Sequence, residues 1–426
     1  MKTVTYGNPV GKIPAHLPKR LTISFPIWGL METGHKGAYA DWEQLVKEHV
    51  ERGFNCIRLE SGAGLTHDLE GNRLPPANIH APFGKFSNNR QAFCIGGEGP
   101  CDFLQRLIDL CTACKKYDVY VILSSWYYLH TYWYVDESFN EKYYALPPKD
   151  RFMAFAKFLH YILKELEDRG LSDRIASAEI FNEVCDLPAL WSCAGEDLEE
   201  IKAMFRAEHE KALAFLQENH PDILFSCDHR VESEPMDLYP RNMQAFNGHN
   251  YFLWDIYAGT LEGKTDVSCS DFFQGKYTAQ DVIDSRIGRF FNYSYSWNTR
   301  LCNCHDLDPT KIPALEQYLE QRLQEKWDEF TAGLEHSCEE YQKIMAAFPE
   351  VPILCGEGIS YCSHKEVLWE ERSEKFWEIV ALAMRRYKEI GLWGSVIKTC
   401  CGPEDPCWNL CKDKLRALNE EFLREN

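Results

Sequence analysis

The sequence predicts an α/β protein: a single (β/α)8, or TIM, barrel with long loop insertions after strands two, three and six. Three observations carry this expectation. Short apolar runs rich in β-branched residues alternate with longer helical patterns, the order of parallel strands joined by helices. Eight strand-like runs can be placed along the 426 residues. No Gly-rich dinucleotide turn follows an early strand, which disfavours a doubly wound sheet, the alternative for the same alternation.

The first strand is read at residues 21–25. A helix follows over 39–52, where Trp42, Leu45, Val46 and Val50 share one face and Gly53 supplies the stop. Strand two is 55–59, and residues 61–99, rich in Gly, Pro and Asn, form the first long insertion. Phe103, Leu104, Leu107, Ile108 and Cys111 mark the next helix, and 119–123 is strand three. An aromatic loop comes next, with Trp126, Tyr127, Tyr128, Tyr132, Trp133 and Tyr134. Helix 151–169, ended by Gly170, leads to strand four at 175–181. Helix 196–219 opens with acidic residues, as the helix dipole favours. Strands five and six are 223–226 and 243–248. Residues 252–348 are too long for one connector: the first half is mixed and aromatic, the second charged and helical. Strand seven at 352–355, helix 366–390, strand eight at 393–399 and helix 409–424 close the chain. A bare barrel needs roughly 250 residues. The surplus lies in loops, with no internal repeat and no linker rich in Ser, Pro and Gly, so residues 1–426 read as one elaborated barrel and not as two domains.

The formal charge is 46 − 65 = −19. That balance argues against nucleic-acid and anionic-membrane partners, which need basic patches. No window approaches the roughly 18 apolar residues of a membrane helix. Residues 1–18 hold three prolines and no apolar run of signal-peptide length, so the expectation is a cytoplasmic protein. In that compartment the 18 cysteines stay reduced. A disulfide scaffold is the opposite reading, but such scaffolds are short chains. Many aromatics fall in loop-like stretches, Tyr293, Tyr295 and Trp297 among them. Flat rings on loops suit flat ligands, though any single ring is better explained by loop packing.

In such barrels the active site forms at the C-terminal ends of the strands. Strand two carries Arg58 near its end, and strand four is followed by Asn182-Glu183, strand six by His249 and Tyr251, and strand seven by Gly356-Glu357-Gly358. The loops after strands one, three and eight offer Trp28, Trp126 and Trp408. Two carboxylates on opposed strands suit glycoside hydrolysis, which needs a protonated acid for the leaving oxygen and an ionised carboxylate on the other side of the anomeric carbon. A single Glu at a strand end is usually a surface or cap residue; the joint pattern is what points to chemistry. Asn182-Glu183 closes an apolar strand, and Glu357 lies between two glycines that allow close approach.

The ordered segments GFNCIRLE (53–60), AEIFNEV (178–184), HNY (249–251) and PILCGEG (352–358) resemble the cellulase-like glycoside hydrolases of family five, in the clan of (β/α)8 barrels with catalytic glutamates ending strands four and seven. The resemblance implies Glu183 as general acid/base and Glu357 as nucleophile. It implies that Asn182 bonds the sugar 2-hydroxyl, that Arg58 and Tyr251 hold Glu357 ionised, and that His249 lines the site. Electrostatics is expected to agree: Arg58 lowers the pKa of Glu357, and ionised Glu357 discourages a second charge on Glu183. One feature departs from the pattern. The family's sugar-floor tryptophan at the end of strand eight is missing from Gly394-Ser395-Val396-Ile397-Lys398-Thr399-Cys400-Cys401, which leaves Trp408 or Trp28 to fold over the site. Glu60 is read as a structural partner of an arginine or as a hydroxyl acceptor.

Other groups are weighed against packing. Cys302-Asn303-Cys304-His305 has no second ligand pair at zinc spacing, so no metal and no cofactor is expected. Cys111 and Cys114 fall within a helical core pattern, and Cys400, Cys401, Cys407 and Cys411 cluster near the expected rim, as packing or as a reactive thiol. Of His130, His249 and His364, only His249 has a motif behind it. The sequence thus predicts a retaining hydrolase acting by double displacement on β-glycosidic bonds of oligosaccharides or small glycosides. A sugar-binding protein without turnover and a transglycosylase are the alternatives.

Overall fold

The computed structural model describes residues 7–31, 39–79, 99–126, 142–143, 145–184, 197–231, 236–257, 272–276, 306–360 and 364–425. Eight parallel strands close a barrel: β1 (Leu21–Ser24), β2 (Cys56–Glu60), β3 (Tyr120–Ser124), β4 (Ile175–Glu179), β5 (Phe225–Arg230), β6 (Ala245–Asn250), β7 (Ile353–Gly358) and β8 (Gly394–Val396). Their order around the barrel is their order along the chain. Closure comes from β1, which pairs with β2 at Ile23↔Cys56 and with β8 at Leu21↔Gly394. A separate antiparallel pair, Ala77–Ile79 with Gly99–Cys101, lies in the insertion after β2.

The helices follow from local signals. Helix α1 (Trp42–Glu51) starts at Asp41, whose carboxylate accepts the Gln44 N–H, and α2 (Phe103–Tyr117) starts in the same way at Asp102. Helix α3 (Pro148–Glu167) has proline in its first turn, where no N–H is needed, and α4 (Leu198–Asn219) is capped by Asp197. Two helices, α5 (Ile312–Glu325) and α6 (Trp327–Ala347), precede β7. Helix α7 (Glu374–Ile390) is capped by Ser373 and stopped by Gly391 at φ 90°. It buries Phe376, Ile379, Val380, Ala383 and Tyr387, a stripe at helical spacing that faces the barrel. Helix α8 (Lys412–Leu423) ends the fold. Between β5 and β6 the only described helix is the single turn Met236–Leu238. Among the described residues no helix is long and apolar enough to cross a membrane.

Three strands run further toward their C-terminal ends than their apolar runs suggest. β5 continues through Asp228, β6 through His249, and β7 through Glu357. The polar residues there are bonded to one another inside the barrel, so they belong to strands although hydropathy reads them as loop. β8 is shorter than expected and stops at Val396. Close approach at the top of β7 depends on glycine. A Cβ on Gly356 would lie 2.1 Å from Asn247 Oδ1, and one on Gly358, at φ 144°, would lie 2.1 Å from the Asn250 carbonyl oxygen.

Candidate active site

Arg58 is the hub of the site. Its side chain projects from β2 into the barrel, is fully buried, and lies between the Phe25 and Trp126 rings at 4.9 and 4.7 Å. Nη1 donates to Glu357 Oε1 at 3.1 Å. Nη2 donates to Glu179 Oε2 at 3.0 Å, Asn182 Oδ1 at 2.7 Å and Asp228 Oδ2 at 2.5 Å. Glu357 is further held by the Tyr251 hydroxyl, which donates to Oε2 at 2.7 Å. Behind Tyr251, the Gly358 N–H donates to Thr399 Oγ1 at 2.9 Å, and the Thr399 hydroxyl lies 3.2 Å from that of Tyr251. Thr399 therefore stands in the region where the resemblance implies tryptophan.

Glu183 enters from the other side. Its backbone is left-handed at φ 47°, its N–H donates to Asp228 Oδ1 at 3.0 Å, and its side chain keeps 20% of its surface exposed. The His249 ring stands between the two glutamates, with Nδ1 3.1 Å from Glu183 Oε1 and 3.3 Å from Glu357 Oε2. A carboxylate oxygen of each and the ring nitrogen lie within 4.8 Å of one another. Nε2 faces Asp228 Oδ2 at 3.0 Å. Both ring nitrogens thus face carboxylate acceptors, which calls for an imidazolium donating on each side.

Four carboxylates, Glu179, Glu183, Asp228 and Glu357, face two cations, Arg58 and His249. Burial opposes charge on His249, but Asp228 and Glu357 overcome it and raise its pKa to about 10. Burial pushes Asp228 up to about 6, against His249 and Arg58. Glu357 also rises above its ordinary value, because burial outweighs the pull of His249 and Arg58. Arg58 does lower the Glu357 pKa, as expected, but the cation is shared among three carboxylates in a dry site and burial sets the net direction. A metal on the Glu183, His249 and Glu357 atoms would have to displace the ring proton, since an imidazolium has no lone pair to offer.

The backbone around the site is strained. Among the described residues four non-glycines have positive φ, and three of them, Glu183, Ile359 and Cys400, follow β4, β7 and β8. Such conformations cost roughly 1–3 kcal/mol each and concentrate at functional sites.

The structure thus gathers Arg58, Asn182, Glu183, His249, Tyr251 and Glu357. Trp126 packs on the Arg58 guanidinium, and Trp28 packs edge-on to Trp126 at 6.0 Å. Trp408 stands apart: it stacks on Phe54, below β2, and its Nε1–H donates to Glu48 on α1. Glu60 accepts the Gly62 and Trp126 N–H groups at 2.9 and 2.7 Å, which ties the loop after β3 to β2. His364 accepts the Glu366 N–H within a turn. Tyr127, Tyr128, His130, Tyr132, Trp133, Tyr134, Tyr293, Tyr295, Trp297 and Cys302 to His305 lie outside the described residues.

The described cysteines are buried. Burial pushes the Cys111 thiol up to about 12 and Cys411 up to about 11, and raises Cys407 well above its ordinary value, which makes them packing groups and not reactive thiols. Cys407 also lies near Glu371 and Asp405, three groups of metal-ligating type, but the Lys398 ammonium already sits 3.0 Å from Asp405.

Sequence reasoning missed Glu179, Asp228, Asn247 and Thr399. The first two had a signal: an acidic residue inside an otherwise apolar strand is almost never buried unless paired. Asn247 donates to Glu179 at 2.6 Å and to Asp228 at 3.1 Å.

No family model and no curated protein matches the chain. Solved structures do. The fold is similar to that of a "putative glycoside hydrolase" from Parabacteroides distasonis ATCC 8503, with a TM-score of 0.58 and 17% identity over 95% of this chain and 94% of that one. A GH5-4 broad-specificity endoglucanase from Clostridium longisporum aligns at TM-score 0.46 and 11% identity, over 89% of this chain and 86% of that one. A glycoside hydrolase family 5 mannosidase from Rhizomucor miehei aligns at 0.42 and 13%, over 95% and 94%. At these identities the first likeness speaks for the barrel; the chemistry rests on the residues.

Proposed function

We propose that the protein is a retaining glycoside hydrolase that cleaves β-glycosidic bonds of oligosaccharides or small glycosides. The observation that carries this reading is the glutamate pair, one following β4 and one in β7, with one carboxylate oxygen of each within 4.8 Å of the other, a contact that favours close spacing of the two carboxyls. Retaining enzymes hold their carboxyls roughly 5–5.5 Å apart, whereas inverting ones leave roughly 6.5–9.5 Å for a water. The family-five motifs and the barrel likeness support the same assignment.

In the first step Glu357 Oε attacks the anomeric carbon while the Glu183 carboxyl gives its proton to the leaving oxygen. Arg58 and Tyr251 aim the nucleophile. In the second step the Glu183 carboxylate takes a proton from water, the water oxygen bonds to the same carbon, and Glu357 leaves as carboxylate. While Glu357 is esterified its charge is gone, and the His249 Nδ1 proton is left to Glu183 alone, which favours the carboxylate that the second step needs. The partner is a carbohydrate, and the chemistry needs no cofactor.

The test is a panel of nitrophenyl β-glycosides followed by NMR of the first-formed anomer. Hydrolysis with retention is expected. Binding without hydrolysis of any member would favour a sugar-binding protein. Transfer to added sugar in preference to water would favour a transglycosylase. Because burial raises Glu357, the acid limb of the rate profile is expected above the ordinary carboxylate value of 4.5.

A further inference from the structure

Asp228 has no part in the motifs above, yet it bonds to more of the site than either glutamate. It is fully buried at the top of β5. Oδ1 accepts the N–H of Glu183, the residue in left-handed conformation. Oδ2 accepts from Arg58 Nη2, His249 Nε2 and Asn247 Nδ2 at 2.5, 3.0 and 3.1 Å. One carboxylate therefore grips the backbone of one glutamate and the far side of the imidazole that touches both.

We propose that Asp228 is a positioning residue for the acid/base step: it locks the Glu183 turn and keeps the His249 ring doubly protonated, so that Nδ1–H stays a donor between Glu183 and Glu357. This rests on the reading of Glu183 as acid/base. The groups around the ring support the charge state. Asp228 from β5 covers Nε2, and Glu183 and Glu357 from the β4 and β7 ends cover Nδ1. Arg58 from β2 and Asn247 from β6 share Asp228, while Tyr251 shares Glu357 Oε2. His229, the neighbour of Asp228 on β5, is held neutral by burial and adds no cation. With Asp228 neutral, the ring keeps acceptors on one side only, and its second proton is no longer secured.

The test is Asp228→Asn, which retains an oxygen for the Glu183 N–H and removes the charge from His249. In ¹⁵N-labelled wild type, both His249 ring nitrogens are expected to remain protonated from pH 7 through pH 8. In D228N the ring is expected to titrate about two pH units or more below wild type, an effect of losing a buried opposite charge. Turnover of an aryl β-glycoside should then gain a new alkaline limb at that pH, with KM little changed. A neutral His249 ring in wild type at pH 7 overturns the proposal, whether or not the variant folds. So does a folded D228N whose ring stays doubly protonated or whose pH profile superposes on wild type. The ring measurement needs no substrate. A wild type that hydrolyses nothing while its ring behaves as expected would therefore sink the hydrolase reading and leave the Asp228 geometry standing.

Discussion

At the end of α1, before β2, Arg52 lies over the Trp408 ring at 4.4 Å; within β2, Arg58 lies over Trp126 at 4.7 Å. The donors of the two arginines go to different places. Arg52 gives Nε–H to the Trp408 carbonyl at 2.7 Å and Nη1–H to the Glu48 carbonyl at 3.0 Å. Arg58 gives its donors to four side chains, three of them carboxylates. The buried histidines beside them divide in the same way. His49 Nδ1 bonds the Leu45 carbonyl within α1, and burial lowers its pKa to about 4. His249 sits among carboxylates and rises to about 10. A stacked arginine or a buried histidine is thus not a sign of function by itself. The partner decides: Arg52 is clamped mainly by backbone carbonyls, with the Glu48 carboxylate at 3.9 Å, whereas Arg58 and His249 face several buried carboxylates at hydrogen-bond distance.

The sharpest way to break this contrast is Glu357→Ala. Turnover of an activated aryl β-glycoside is expected to fall by roughly 10³-fold or more, as for loss of a nucleophile, with thermal unfolding still cooperative. Full activity would remove Glu357 from the nucleophile role. Next, Glu183→Ala is expected to slow poor leaving groups by about 10²–10⁴-fold, the range for general acid catalysis, and activated ones far less. Equal slowing would count against the acid role.

The arginines are compared directly by Arg58→Met and Arg52→Met in urea unfolding and kinetics. The first removes the cation shared by three buried carboxylates, at a cost of about 3–5 kcal/mol, and loses activity. The second leaves carbonyls unsatisfied, at about 1–3 kcal/mol, with kcat per folded molecule unchanged. Equal kinetic losses would erase the distinction drawn between the two arginines.

The last expected effect, a slope and not a loss, is in the pH dependence of stability. The folded pKa of His49 is lowered from 6.5 to about 4, so between those values the unfolded chain binds the extra proton and stability falls on acidification. The folded pKa of His249 is raised from 6.5 to about 10, so there the folded state binds the proton and stability falls as pH rises through that window. Each contributes a slope of about 1.4 kcal/mol per pH unit. His49→Gln should flatten the acid side and leave the alkaline side, whereas His249→Gln should flatten the alkaline side. Any other pairing, read from urea midpoints across pH, would contradict the assigned partners.

Much of this was legible from residue order. The barrel followed from alternating apolar runs, and Arg58, Glu183, His249, Tyr251 and Glu357 followed from reading strand ends. Asp228 and Glu179 were missed because a charged residue within a strand has no partner in one dimension: Asp228 is 170 residues from Arg58, and Glu179 is 68 from Asn247. Trp408 was placed over the site by proximity to β8 in the chain, while stacking on Phe54 and the bond to Glu48 draw it toward α1.

By itself, then, the sequence determined which strands exist, which end carries polar groups and which two glutamates face each other across the barrel, because hydrophobic periodicity and strand order are local properties. Only the tertiary structure decided the charge state of the site. Burial, the sharing of Arg58 among three carboxylates and the placing of His249 between Asp228 and the glutamate pair depend on distances across the barrel, and electrostatic energy is set by distance and solvent access, not by order along the chain.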